Sequence, residues 1–239
     1  FSMNPLGNIG FIADIDNNVF NGVINNVATI GAIGITSGGA ATTDITMRNN
    51  DLDNIIGGRG ITATVDGGHT ELMFDNNSID TLGSADKYAI SVSSTNNSMG
   101  GTLGNVDVTL QNNKIGQAGA LWTSGPGAAE AVFLTTANGA AMDALVTNNL
   151  ITANAGYEVV RARAGGTGVL NATFTNNTIT DTDGAHRELA GTAGTTDGAG
   201  QLNLSFSGNV LAGGATGVIQ ITEAGASTLQ VQQASAGAV

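Results

Sequence analysis

Thr173-Phe174-Thr175-Asn176-Asn177-Thr178-Ile179 alternates apolar and polar residues, turns on an Asn pair and resumes with an apolar residue. Versions of this phrase run from one end of the chain to the other. Counting Ala172, the pattern is apolar, any, apolar, any, Asn, Asn, any, apolar. The earlier copies are Ala13-Asp14-Ile15-Asp16-Asn17-Asn18-Val19-Phe20, Ile45-Thr46-Met47-Arg48-Asn49-Asn50-Asp51-Leu52 and Leu72-Met73-Phe74-Asp75-Asn76-Asn77-Ser78-Ile79. Val108-Thr109-Leu110-Gln111-Asn112-Asn113-Lys114-Ile115 and Ala144-Leu145-Val146-Thr147-Asn148-Asn149-Leu150-Ile151 follow. The last copy, Leu204-Ser205-Phe206-Ser207-Gly208-Asn209-Val210-Leu211, has Gly in place of the first Asn. From Asn17 to Gly208 the steps are 32, 27, 36, 36, 28 and 32 residues, too long for hairpins and typical of stacked repeats.

Between copies lies a second alternating phrase: Gly60-Ile61-Thr62-Ala63-Thr64-Val65, Ala89-Ile90-Ser91-Val92, Ala131-Val132-Phe133-Leu134, Val159-Val160-Arg161-Ala162-Arg163-Ala164 and Gly217-Val218-Ile219-Gln220-Ile221. A two-residue period with one apolar face predicts short strands. Glycine pairs such as Gly38-Gly39, Gly67-Gly68, Gly100-Gly101 and Gly165-Gly166 supply the turns. No segment carries a sustained 3.6-residue period with caps, so very little helix is expected. Each period then gives two or three strands, and stacking lets each strand pair in parallel with its counterpart one period away. The expectation is an all-β, single-stranded parallel β-helix, or β-solenoid, of about seven to eight coils. At ~4.8 Å per coil it would be a rod ~38 Å long. The repeat coils cover about 10–235 of a single domain, 1–239, with 1–9 and 227–239 as terminal segments.

Composition agrees. Among 239 residues are 36 Gly and 26 Asn, with 41% hydrophobic, 11% charged and 4% aromatic residues. Regularly placed Ile, Leu, Val and Phe argue against disorder. The formal net charge of −12 would repel nucleic acid and anionic lipid, so neither is an expected partner. The absence of Cys excludes disulfides and thiolate metal sites without fixing the compartment. No apolar run approaches the ~18 residues of a membrane span. The chain opens on Phe1 without an initiator Met or a charged-then-apolar leader, which predicts a removed leader or a piece of something longer.

The alternating strand followed by Asn-Asn-x-Ile resembles the repeat of right-handed parallel β-helices of the pectin-lyase-like type. It is similar especially to that of giant extracellular bacterial β-strand repeat proteins. The resemblance covers roughly 10–235 and implies a right-handed β-helix at the cell surface or outside the cell. It implies no single activity, since lyases, hydrolases, phage tailspikes, adhesins and scaffolds share that architecture.

Continuing the alternation from Phe174 puts Asn176 on the core side as the strand bends. Stacked in every coil, Asn17, Asn49, Asn76, Asn112, Asn148 and Asn176 are expected to form a structural amide ladder. The second Asn, Asn177 here, is then expected to take the left-handed turn. On that reading the sequons Asn76-Asn77-Ser78 and Asn176-Asn177-Thr178 would be poor glycan acceptors.

Evidence for catalysis is slight. Arg161 and Arg163 alternate on one outward strand face, as a lyase base could, but the expectation is that they make surface ion pairs on an acidic rod. Carboxylate pairs at glycosidase spacing, such as Asp44 with Asp75 or Asp14 with Asp16, arise by chance among 19 acidic residues. The Asn-Thr-Asp, Asp-Asp and Gly-His-Gly motifs of polygalacturonase-like hydrolases are absent. His69 and His186 are expected in loops without His or Cys partners, which argues against zinc. No cofactor is expected. Asp181 and Asp183 are weak calcium candidates, as are Asp51 and Asp53, and none completes a known loop. Thr62-x-Thr64 does not recur in register in the sequence, and Trp122 with Tyr157 makes a thin carbohydrate-stacking surface.

No capping helix is evident. Phe1, Met3 and Leu6 at one end, and Leu229 and Val231 at the other, are expected to mediate head-to-tail self-association, a non-closing contact that builds filaments. The expected role is structural and extracellular, in a filament or surface stalk. Surface polysaccharide is a possible partner, and a carbohydrate-binding or polysaccharide-degrading β-helix or an adhesin or phage tail module is the alternative. The ladder is expected to fail at Gly208 and in Leu229-Gln230-Val231.

Overall fold

The structure, a computed structural model, describes residues 1–22, 31–53, 55, 59–80, 88–96, 103–116, 122–123, 130–154, 158–182, 187–194, 198–213 and 219–233. Three parallel sheets, faces A, B and C, are stacked rung upon rung. The first rung is β1 (Ser2–Met3), β2 (Gly10–Asp16) and β3 (Val19–Asn21), and the second is β4 (Gly31–Gly38), β5 (Thr42–Arg48) and β6 (Asp51–Asp53). Next come β7 (Arg59–Asp66), β8 (His69–Asp75) and β9 (Ser78–Asp80), then β10 (Ile90–Thr95), β11 (Asn105–Gln111) and β12 (Lys114–Ile115). A two-residue strand, β13 (Trp122–Thr123), pairs with β16 before the fifth rung of β14 (Val132–Thr136), β15 (Ala141–Thr147) and β16 (Leu150–Asn154). The sixth is β17 (Val160–Ala164), β18 (Val169–Thr175) and β19 (Thr178–Asp181), and the seventh β20 (Leu189–Ala193), β21 (Gln201–Ser207) and β22 (Val210–Ala212). β23 (Ile219–Glu223) and β24 (Thr228–Gln233) extend faces A and B by one further strand. The all-β parallel solenoid read from the sequence is therefore the observed fold, and no helix occurs among the described residues. Correspondingly, none of them forms a helix long and apolar enough to cross a membrane.

Register explains the core. On face B the inward files are Ala13, Ile45, Leu72, Val108, Ala144, Ala172, Leu204, Val231 and, two positions on, Ile15, Met47, Phe74, Leu110, Val146, Phe174, Phe206. Face C adds Phe20, Leu52, Ile79, Ile115, Ile151, Ile179 and Leu211, the last apolar residue of each copy. Phe74, Phe174, Ile45 and Leu52 are wholly enclosed, each worth roughly 1.5–3 kcal/mol of burial. Phe174 and Phe206 stack with centroids 5.7 Å apart. Six rungs, the second to the seventh, enclose this core, a slightly shorter enclosed stack than the seven to eight coils read from the repeats. Irregular repeat length lies in the connections: the segments leading from face C to the next face A strand and those from face A to face B both differ in length, while the copy around each Asn pair does not.

The Asn pair works the other way round from the sequence expectation. Asn17, Asn49, Asn76, Asn112, Asn148 and Asn176 all have φ of 53–57° and are exposed. They are the left-handed corner between faces B and C, and Gly208, at φ 64°, fills the same corner in the seventh rung. Asn50, Asn77, Asn113, Asn149, Asn177 and Asn209 point inward, 0–7% exposed, and these form the buried ladder. The physical reason is that a residue in the left-handed region re-aims the chain, so two-residue parity stops at the corner. The sequon acceptors Asn76 and Asn176 consequently lie outside, correcting the expectation that the ladder buries them. Gly208 does not interrupt the ladder either, since it replaces the corner residue and Asn209 still accepts from Asn177.

Candidate functional site

From Asn50 to Asn177 each buried Asn of the ladder saturates its amide. In Asn113, Nδ2 donates to Asn149 Oδ1 at 3.0 Å and to Phe74 O at 2.8 Å. Its Oδ1 accepts from the backbone N–H and the Nδ2 of Asn77, both at 3.0 Å. The amide-to-amide link repeats from Asn18 to Asn209. Asp lacks the donors and Leu lacks everything, so only an amide of this length satisfies the column. A partial second chain runs outside, from Asn76 Nδ2 to Asn49 Oδ1 at 2.8 Å and from Asn49 Nδ2 to Asp16 Oδ1 at 2.9 Å. Both columns are structural.

The outer side of face B carries the concentrated chemistry. Register aligns Ile12, Asp44, Glu71, Asp107, Asp143, Asn171, Asn203 and Gln230 in one file along the rungs. Four consecutive carboxylates at strand spacing repel one another, on the order of 1 kcal/mol per neighbouring pair in water. At one end the file turns to amides: Asn171 Nδ2 donates to Asp143 Oδ1 and Asn203 Nδ2 to Asn171 Oδ1, both at 2.6 Å. The adjoining outward file includes Thr46, Met73, Thr109, Leu145 and Thr173, with Met73 and Leu145 38% and 40% exposed. Shallow depressions follow the two files, one of about 470 Å³ lined by Asp44, Thr46, Glu71, Met73, Asp107 and Thr109.

His69 is not in a loop as expected; it opens β8. Its Nε2 lies 3.3 Å from Glu71 Oε1 and 3.7 Å from Asp107 Oδ2. Sequence reasoning missed the grouping because Asp107 enters from the next rung. The carboxylate pairs considered from sequence also resolve differently. Asp44 aligns with Glu71 rather than Asp75, and Asp14 pairs with Arg48 at 2.7 Å.

At the entry to face A, Arg161 Nη1 is 3.1 Å from Glu130 Oε1 and 3.9 Å from Glu158 Oε2, and Arg187 Nη1 is 3.8 Å from Glu158 Oε1. Burial pushes the Glu130 carboxyl up from its ordinary range, against the downward pull of a backbone hydrogen bond and Arg161. Beside this network the Arg59 guanidinium sits over the Tyr88 ring, which stacks on Phe133. Arg161 thus makes the ion pairs expected of it. No ion pair among the described residues reaches Arg163, which lines a separate depression with Ser93, Thr135 and Asn138.

The remaining candidates do not assemble. Asp181 is buried at the end of β19 and engaged within the chain, whereas Asp183, His186 and Tyr157 lie outside the described residues. Trp122 is placed on β13. Phe1 and Leu6 are 62% and 45% exposed, and Met3 is buried against face A. Leu229 and Val231 belong to the last strand of face B, continuing inward files. Compared with protein-family models, curated proteins and solved structures, the chain matches none.

Proposed function

We propose that this chain is a structural, extracellular β-solenoid, one stretch of a filament or surface stalk that lengthens by adding rungs end to end. One observation carries the reading. The partly buried apolar residues packed against the core are Phe11, Ala13, Phe20, Leu211, Ile219, Ile221 and Leu229, all from the terminal strands. Among the described residues each interior strand pairs with a strand on both sides, whereas the strands at the two ends of each sheet pair with a strand on one side, the kind of edge on which a further strand can add. At one end the three faces finish on β1, β2 and β3, and at the other on β23, β24 and, one rung back, β22, so a rung of a second copy or of a longer chain would continue the same three sheets. The edge side chains Leu229 and Val231 at one end, and Phe11 and Ala13 at the other, would become interior on stacking.

Electron microscopy of the purified chain over a range of concentrations tests this, with Val231→Asp as the blocked control. End-to-end rods that shorten in the variant are expected. Dispersed particles of one rung-stack length at high concentration would overturn self-stacking. A carbohydrate-binding role is the second reading, favoured by the depressions that run along face B across several rungs. Retention on immobilised polysaccharide that is lost in Asn171→Ala/Asn203→Ala would favour it over the structural role.

A further inference from the structure

His69 and Glu71 are two residues apart on β8, so their side chains leave the same side of the strand. β8 is paired along its length with β5 on one side and β11 on the other, which fixes the backbone under both residues. The β8–β11 register sets Asp107 directly opposite Glu71. As a result one imidazole nitrogen and two carboxylates converge, with one ligand atom from each residue and all three within 4.8 Å of one another. In a tetrahedral zinc centre, bonds of about 2.0–2.2 Å place neighbouring ligand atoms about 3.3–3.6 Å apart. The separations from His69 Nε2 to Glu71 Oε1 and to Asp107 Oδ2, 3.3 and 3.7 Å, are close to those edges.

We propose that His69, Glu71 and Asp107 form a binding site for a first-row divalent cation, with zinc preferred. The three residues are half-exposed, so a fourth position is open to water or to a ligand lying in the depression lined by Asp44 and Thr109. Calcium is the poorer fit because it takes six to eight oxygens and gains little from a ring nitrogen. A simple imidazolium–carboxylate pair would need only one acid. Here the histidine stands beside a file of four, and a divalent ion offsets the repulsion along Asp44, Glu71, Asp107 and Asp143. The site is independent of end-to-end stacking, since all three residues sit on the third and fourth rungs.

Isothermal titration of the metal-stripped full chain with zinc chloride tests the site, with calcium chloride as the comparison and cobalt(II) absorption as a second readout. One zinc per chain is expected, with calcium binding absent or at least tenfold weaker. His69→Gln should weaken zinc binding by about 100-fold and Asp107→Asn by about tenfold, since even residues behind the ligands typically count for about 10–100-fold. His186→Ala, the other histidine, should leave it unchanged. Circular dichroism of each variant checks that the fold is retained. Absence of zinc binding, zinc binding that survives His69→Gln, or loss of binding in His186→Ala would each overturn the assignment.

Discussion

Replacing Asn113 by Ala tests the ladder at its middle, where the side chain is 1% exposed. Four hydrogen bonds disappear: two donated by Asn113 Nδ2, to Phe74 O and Asn149 Oδ1, and two accepted by its Oδ1 from Asn77. The backbone N–H of Asn77 and one proton of its Nδ2 are then buried without an acceptor. At roughly 1–3 kcal/mol for each stranded buried group, the two donors alone cost about 2–6 kcal/mol, before any cavity left by the missing amide. A loss near 4 kcal/mol lowers the melting temperature of a chain this size by about 8–16 °C. Asn112 is the matched control one residue earlier. Its exposed side chain makes a bond to Asp75 Oδ1, and its φ of 57° suits Gly. Asn112→Gly should therefore cost no more than about 1 kcal/mol, from the added freedom of the unfolded chain. Urea unfolding followed by circular dichroism reads both midpoints. If Asn113→Ala costs less than about 1 kcal/mol, or Asn112→Gly costs as much as Asn113→Ala, the assignment of the second Asn to the ladder is wrong.

Gly208→Asn puts the residue of the other six copies into a left-handed corner; its Cβ would press on the flexible Asn176 amide oxygen, which can rotate away. We expect a gain of about 0.5–1 kcal/mol, largely from reduced freedom of the unfolded chain, and a lowered urea midpoint would show that the Asn176 side chain cannot yield. Glu130→Gln tests the network at the entry to face A. Because burial raises the Glu130 pKa in the fold, that carboxyl favours folding fully below its unfolded pKa and loses that contribution as pH rises through the folded value. The variant should accordingly match or exceed the parent's stability at neutral pH, with the advantage vanishing as pH falls into the carboxylate range. A variant destabilised most at neutral pH would mean that the Arg161 pairing outweighs the burial cost.

How far the sequence could be read depends on where parity holds. Along β18 the alternation from Ala172 to Phe174 sorts inward from outward correctly, and the same holds for every copy, because a strand has a strict two-residue period. The period breaks at the one residue with positive φ, and extending it across Asn176 assigned the inward position to the wrong member of the pair. The seventh copy carried the missing signal. It exchanges the first Asn for Gly and keeps the second, which is what a corner requiring positive φ would tolerate and a buried amide ladder would not. Read that way, Gly208 marks the corner rather than the failure of the ladder.

Once the corner is fixed, the outer surface of face B can be indexed by counting back. Five residues before each corner stand Ile12, Asp44, Glu71, Asp107, Asp143, Asn171 and Asn203, the aligned file, and seven before the third corner stands His69. The acidic file and its histidine were thus implicit in the copies, hidden by comparing carboxylates such as Asp44 and Asp75 by proximity in sequence instead of by distance from the corner. Face A resists the same treatment. Ile61 precedes its corner residue Asn76 by 15 positions, whereas Ile90, its partner in register, precedes Asn112 by 22, because the connection between faces A and B differs in length between those rungs. Contacts such as Arg161 with Glu130 therefore depend on hydrogen-bond register that sequence distance does not encode. Chemistry on face B is fixed by a local anchor within each copy, and chemistry on face A by the stacking of whole rungs. A change in loop length would consequently leave the His69 file intact while moving the Glu130 network.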